Sequence, residues 1–124
     1  MSYTIRPSED GHYIILKHCG EINSEMTTQR NLEAHALAAK LGITRHLVDL
    51  VDAKHVDTVA NTYKFAYEDM RFLPGINKNA RVAVLVNPDD HSHDFVETVT
   101  RNAGQNVTLF RDREAAIQHL LKDI

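Results

Sequence analysis

The chain has 124 residues, 43% of them hydrophobic and 25% charged. That is the size and composition of one globular domain with a real core, and it excludes a disordered chain. Lys and Arg number 14 against 17 Asp and Glu, a net charge of -3, so the basic excess that neutralises phosphates is missing and nucleic acid is not an expected partner. From the N-terminus, Tyr3–Arg6 reads as a short strand ended by Pro7, and Tyr13–Lys17 as a β-branched and aromatic second strand. The short connection predicts an antiparallel hairpin, with Gly20 stopping the second strand. Asn23 or Ser24 caps a long helical pattern that Gly42 ends, with Met26, Leu32, Ala36, Leu37, Ala39 and Leu41 as its expected buried stripe. Arg45–Leu50 is a mostly apolar third strand.

Asp57 is placed to cap a second helix carrying Val59, Tyr63, Ala66, Tyr67 and Met70, which stops near Leu73-Pro74-Gly75. Arg81–Val86 is nearly continuous apolar residues, the pattern of a parallel strand buried on both faces. Pro88-Asp89-Asp90 opens a third helix with Phe95, Val96, Val99 and Ala103 inward and Gly104 after it. Asn106–Phe110 is a fifth strand, and Asp112 caps a last helix from Glu114 to Lys122 that buries Ala116, Ile117, Leu120 and Leu121. The predicted fold is a single α/β domain over residues 1–124 in the order ββαβαβαβα. Its five-stranded sheet is mostly parallel with one antiparallel strand, and four helices cover both faces. Leu47, Val82 and Val84 are expected at the centre of the core.

The chemistry-bearing residues are few. One cysteine, Cys19, excludes an internal disulfide and a cysteine zinc cluster. Its neighbour His18 points to the other face if the strand runs that far, so the pair does not read as a nucleophile and its base. Eight histidines are spread from His12 to His119, and their partial protonation would erase the net negative charge at about pH 6. The cluster Asp89-Asp90-His91-Ser92-His93-Asp94 is the densest set of metal-ligand types, but its two histidines are two apart and its acids suit a helix start, so no metal is expected. No phosphate-cradling glycine loop, nucleophile elbow or zinc-protease motif is present, no cofactor is expected, and no catalytic residue is assigned. No apolar run reaches the roughly 20 residues of a membrane span, and the polar opening does not read as a signal peptide, so a cytoplasmic protein is expected.

Leu47-Val48-Asp49-Leu50, followed after a short loop by Asp57-Thr58-Val59-Ala60, resembles the STAS domain family of anti-sigma-factor antagonists. There an apolar-Asp-Leu strand leads to Asp-Ser-[Ser/Thr]-Gly at the start of a helix. The spacing from Asp49 to Asp57 matches, Thr58 stands on the phosphorylatable hydroxyl position, and Ala60 stands where the family has glycine. Ala80–Leu85, Phe95–Thr98 with Asn102-Ala103-Gly104, and Val107–Phe110 leading to Asp112–Ala116 are similar to the SpoIIAA-like branch, which is related to CRAL-TRIO domains. The resemblance spans nearly the whole chain. It implies a non-enzymatic regulatory or protein-interaction module that meets its partner through Asp49, Asp57 and Thr58, with Thr58 as the switch.

The alternative implied by the CRAL-TRIO relationship is a carrier of a small apolar or lipid-like ligand held under the second helix by Tyr63, Tyr67, Phe72 and Leu73. A cavity above roughly 300 Å³ there would favour it. Tyr63 and Tyr67 share a stripe with Met70, whereas Phe65 and Phe72 lie off it, which makes them candidates for a ligand, a partner or a homodimer contact. A third reading, an enzyme using His91, His93 or Cys19, lacks a complete constellation.

Overall fold

The computed structural model describes residues 2–124. Its strands are β1 (Ser2–Pro7), β2 (Ile14–Ile22), β3 (Arg45–His55), β4 (Arg81–Val86) and β5 (Val107–Phe110). They form one sheet in the spatial order β1-β2-β3-β4-β5. β1 is antiparallel to β2, with Ile5 opposite Leu16, and every other neighbouring pair is parallel. The helices are α1 (Ser24–Leu41), α2, α3 (Asp94–Asn102) and α4 (Arg113–Leu121). Helix α2 is composite: α-helical Val59–Lys64, π-helical Phe65–Asp69 and a last turn Met70–Phe72. The order ββαβαβαβα and the single antiparallel strand are as the sequence predicts.

The strand order explains how the helices are distributed. Each parallel crossover steps one strand in the same direction, and right-handed crossovers that all step one way leave their helices on one face. Accordingly α1, α2 and α3 share a face with Ile14, Leu16, Val48, Leu50 and Val86. Only α4, which connects to no later strand, covers the other face, burying Ala116 and Leu120 against Leu47, Ala83 and Leu85. The caps follow local sequence: Asn23 accepts the Met26 N–H at 2.9 Å and Asp112 accepts the Ala115 N–H at 3.2 Å. Gly42 ends α1 at φ +71°, a left-handed conformation that costs a residue with a Cβ.

Several expected boundaries and faces are corrected. Gly20 does not stop β2: it lies inside the strand with φ +87°, just after a register irregularity between Lys17 and Cys19. Helix α3 begins at Asp94 rather than at Pro88, because residues 88–89 and 92–93 form turns first. The inner face of α1 is Thr28, Arg30, Ala34, His35 and Ala38, while Ala36, Ala39 and Leu41 are exposed. That face was hidden because two of its members are Arg and His. The buried Arg30 guanidinium donates to His18 Nδ1 at 3.0 Å and stacks 4.4 Å over the Tyr3 ring.

Leu47 is fully buried, but Val82 and Val84 are only partly so. Both line a cavity of about 110 Å³ between the sheet and the three helices. Helix α2 roofs part of it through Phe65 of the π-helical segment and Met70 of the last turn. Gln105, in the connection between α3 and β5, holds that segment by donating its side-chain amide to the Ala66 carbonyl at 2.7 Å.

Candidate functional site

The start of α2 is built by two adjacent side chains. Thr58, not Asp57 as the sequence predicts, is the N-cap: it is extended (φ -82°, ψ 158°) and its Oγ1 accepts the Asn61 N–H at 3.1 Å. Its side chain is on the exposed side of the loop. Asp57 works across elements instead. Its Oδ2 accepts the Ser24 N–H at 2.7 Å, and its Oδ1 accepts the Thr58 N–H at 2.7 Å and the Asn61 side-chain amide at 2.9 Å. Partial burial pushes the Asp57 carboxyl up, but the bonds from Ser24, Asn61 and Thr58 outweigh it and hold it at about 2. Thr58 therefore sits beside a carboxylate that stays ionised and next to the open N–H groups of a helix start.

Asp49 is not part of this arrangement. It shares its strand face with Leu47 and Val51, the face covered by α4. There it accepts from Arg113 at 2.9 Å, lies 3.7 Å from Lys17 Nζ and accepts the Val51 N–H at 3.1 Å. Burial pushes its carboxyl up, yet the Arg113 and Val51 bonds and Lys17 hold it below the usual carboxylate range. Asp57 and Thr58 belong to the opposite side of the sheet, so the structure separates Asp49 from them.

The outer surface of α2 is aromatic. Tyr63, 47% exposed, stacks on Tyr67 at 6.0 Å and meets Phe95 of α3 edge-on at 5.9 Å. Val59, 62% exposed, stands one turn before Tyr63, next to Thr58. Phe95 was expected on the inner side of α3. The inward stripe there is partly buried Val96 with buried Val99 and Thr100, at i, i+3 and i+4, which leaves Phe95 44% exposed. Phe65, expected off the core, is in it: Thr62, Phe65 and Ala66 are the buried residues of α2. Phe72 is 71% exposed, so Phe65 and Phe72 do not make one outward face. Of Tyr63, Phe65, Tyr67 and Phe72, only Phe65 lines the cavity, and the cavity is smaller than the expected carrier pocket.

The remaining candidates disperse. His91 Nδ1 lies 2.9 Å from Asp94, which also pairs with Arg111 at 2.7 Å, on the exposed rim. His93 is buried and its Nε2 donates to the Ala53 carbonyl at 3.1 Å. Among the described residues no three His, Cys, Asp or Glu side chains converge as metal ligands. Burial alternates through β2, with His18 buried and Cys19 partly exposed. Among the described residues no helix is long and apolar enough to cross a membrane.

Solved structures share this architecture. One is an uncharacterised protein of the DUF3478 family with a SpoIIAA-like fold from Shewanella loihica PV-4: TM-score 0.55, 17% identity, covering 96% of this chain and 92% of that one. Another is the anti-sigma factor antagonist SpoIIAA in its unphosphorylated form: TM-score 0.54, 13% identity, covering 99% of this chain and all of that one. The fold is SpoIIAA-like. No protein-family model and no curated protein matches this sequence. The agreement over nearly both whole lengths bears out the fold that the sequence resemblance implies, and at these identities it concerns the fold alone.

Proposed function

We propose that this SpoIIAA-like domain is a non-enzymatic regulatory module that docks a protein partner on the outer surface of α2 and α3, in the cytoplasm. The observation that carries the proposal is the contiguous patch of exposed Val59, Tyr63 and Phe95, with half-buried Tyr67 stacked on Tyr63 and the Thr58 hydroxyl at its edge. Tyr and Phe supply large apolar area at low conformational cost, which is why they concentrate at the centres of interfaces. One of the fold neighbours is an anti-sigma factor antagonist, and a protein partner for this chain is consistent with that likeness. Thr58 supplies the regulation: a phosphate there adds about two negative charges at the rim of an apolar interface, beside an ionised Asp57.

Comparative affinity capture tests this reading. The wild type and a Tyr63→Glu/Phe95→Glu double variant are used as baits in the same native lysate, after their melting temperatures are shown to agree. A protein held stoichiometrically by the wild type and lost by the double variant supports the docking surface. Identical captured sets would refute it.

A further inference from the structure

We propose that the cavity between β3, β4 and the helices α1–α3 is a binding site for a neutral, single-ring organic molecule carrying one hydrogen-bonding group, held by the His46 imidazole. At about 110 Å³ the space is smaller than drug-sized pockets, but it exceeds the roughly 10–15 Å³ a water needs and approaches the ~150 Å³ of engineered cavities that take up benzene. The size selects one ring or an aliphatic molecule of similar bulk. The wall selects the chemistry, since it is mainly apolar: Leu16, Val48, Val84, Phe65 and Met70 are among its residues.

The polar part of the wall is mostly occupied. His35 Nδ1 accepts the Asn77 N–H at 3.0 Å, and Glu97 accepts the Leu109 N–H at 2.5 Å. His46 differs. It is 3% exposed, it stacks on His35 at 4.2 Å, and its Nε2 is buried without a hydrogen-bond partner. A buried imidazole nitrogen left unpaired is costly, and a ligand group that pairs with it recovers that cost. Burial also holds His46 neutral, and Lys78 is the one Lys or Arg on the wall among the described residues, at its exposed rim. The interior therefore offers nothing to balance a carboxylate or phosphate, which selects a neutral ligand. A hydroxyl suits His46 in either tautomer, because it can donate and accept.

Benzene and phenol are the probes, each titrated into the isotope-labelled full chain and followed by amide NMR. Phenol is expected to give saturable shifts around the cavity, at Val48, Val84 and Thr100, and to bind about tenfold more tightly than benzene, one hydrogen bond's worth. Val84→Phe and Ala34→Met, which fill the cavity from the sheet and from α1 respectively, should each abolish the shifts. His46→Phe should remove the preference for phenol. The proposal is overturned if neither probe gives saturable shifts, or if the shifts survive in whichever filling variants fold. Equal affinity of the two probes for the wild type overturns the role of His46. Because no part of this test uses a protein partner, its failure leaves the docking surface untouched, and the reverse holds too.

Discussion

The Asp57 carboxylate accepts the Ser24 backbone N–H at 2.7 Å, so one side chain fastens the first turn of α1 to the loop that opens α2. With its bonds to Thr58 and Asn61 it also fixes the conformation in which Thr58 caps. The start of α2, which carries the proposed docking patch, is thus tied to α1 through one acid, while buried Thr62, Phe65 and Ala66 seat the helix on the sheet.

Asp57→Ala should lower unfolding stability by about 1–2 kcal/mol, the loss of charge-assisted bonds at a partly exposed site. The pH dependence has a definite sign. The folded value of about 2 lies below the usual 3.8, so the stabilisation is complete above pH 3.8 and is lost as pH falls from 3.8 through 2. Urea unfolding of wild type and variant at neutral pH and near pH 2.5 checks both statements. A difference that persists undiminished at the acid end would contradict the assignment.

The buried histidines titrate in a higher window. Burial lowers His46 to about 3 and His18 to about 4, in His18 with help from the Arg30 charge. Between those values and 6.5 only the unfolded chain binds the protons, so stability rises with pH across that range. Each group contributes about 1.4 kcal/mol per pH unit. The protein should be markedly less stable at pH 5 than at pH 7, and His46→Phe should flatten that slope by about 1.4 kcal/mol per unit. The Asp57 effect overlaps this window only between pH 3 and 3.8, so a slope measured above pH 4 belongs to the histidines and not to Asp57. Equal unfolding free energies at pH 5 and pH 7 would exclude neutral buried histidines.

Leu47 and Val84 test where the packing is tight. Leu47 is buried against Ala116 and Leu120, and Leu47→Ala should cost about 2–5 kcal/mol. Val84 already faces the cavity, so Val84→Ala removes fewer contacts and should cost about 1 kcal/mol or less. Denaturant unfolding of the pair gives the comparison. Similar large losses for both would mean that the space beside Val84 is filled.

The fold was legible because its strands are apolar β-branched runs and its turns carry Gly, Pro, Asn and Asp in the expected places. What stayed hidden has specific causes. The inner face of α1 contains Arg30 and His35, whose burial depends on His18, Tyr3 and Asn77, all distant in sequence. The buried residues of α2 are Thr62, Phe65 and Ala66, an i, i+3, i+4 stripe led by a threonine, whereas the larger apolar Tyr63 that suggested the other stripe faces outward. The family resemblance groups Asp49 with Asp57, although Asp49 alternates with Leu47 and Val51, and that alternation already places it on their face. The cavity could not be read, because each of its walls is an ordinary apolar stripe and the gap arises from how three helices meet.

Thr58 separates a structural role from a regulatory one. Its Oγ1 caps α2 through the Asn61 N–H, so Thr58→Ala should cost about 1 kcal/mol of stability. That variant adds no charge, so it should keep the partner's affinity. Thr58→Glu loses the same hydroxyl but places a carboxylate at the positive end of the helix, which offsets part of the loss by about 0.3–1 kcal/mol, reduced by repulsion from Asp57. Stability therefore ranks Thr58→Glu at or above Thr58→Ala. Binding should rank them the other way, because a charge forced against the Val59, Tyr63 and Phe95 surface without a partner costs roughly 2–5 kcal/mol. Thr58→Ser keeps the cap and should behave as wild type in both respects. The measurement is calorimetric titration of the three variants against the protein captured by the wild type, alongside their melting curves. If affinity follows stability, with Thr58→Ala the weaker binder, Thr58 is a helix cap and the switch lies elsewhere. If affinity falls only in Thr58→Glu, charge at this hydroxyl controls docking.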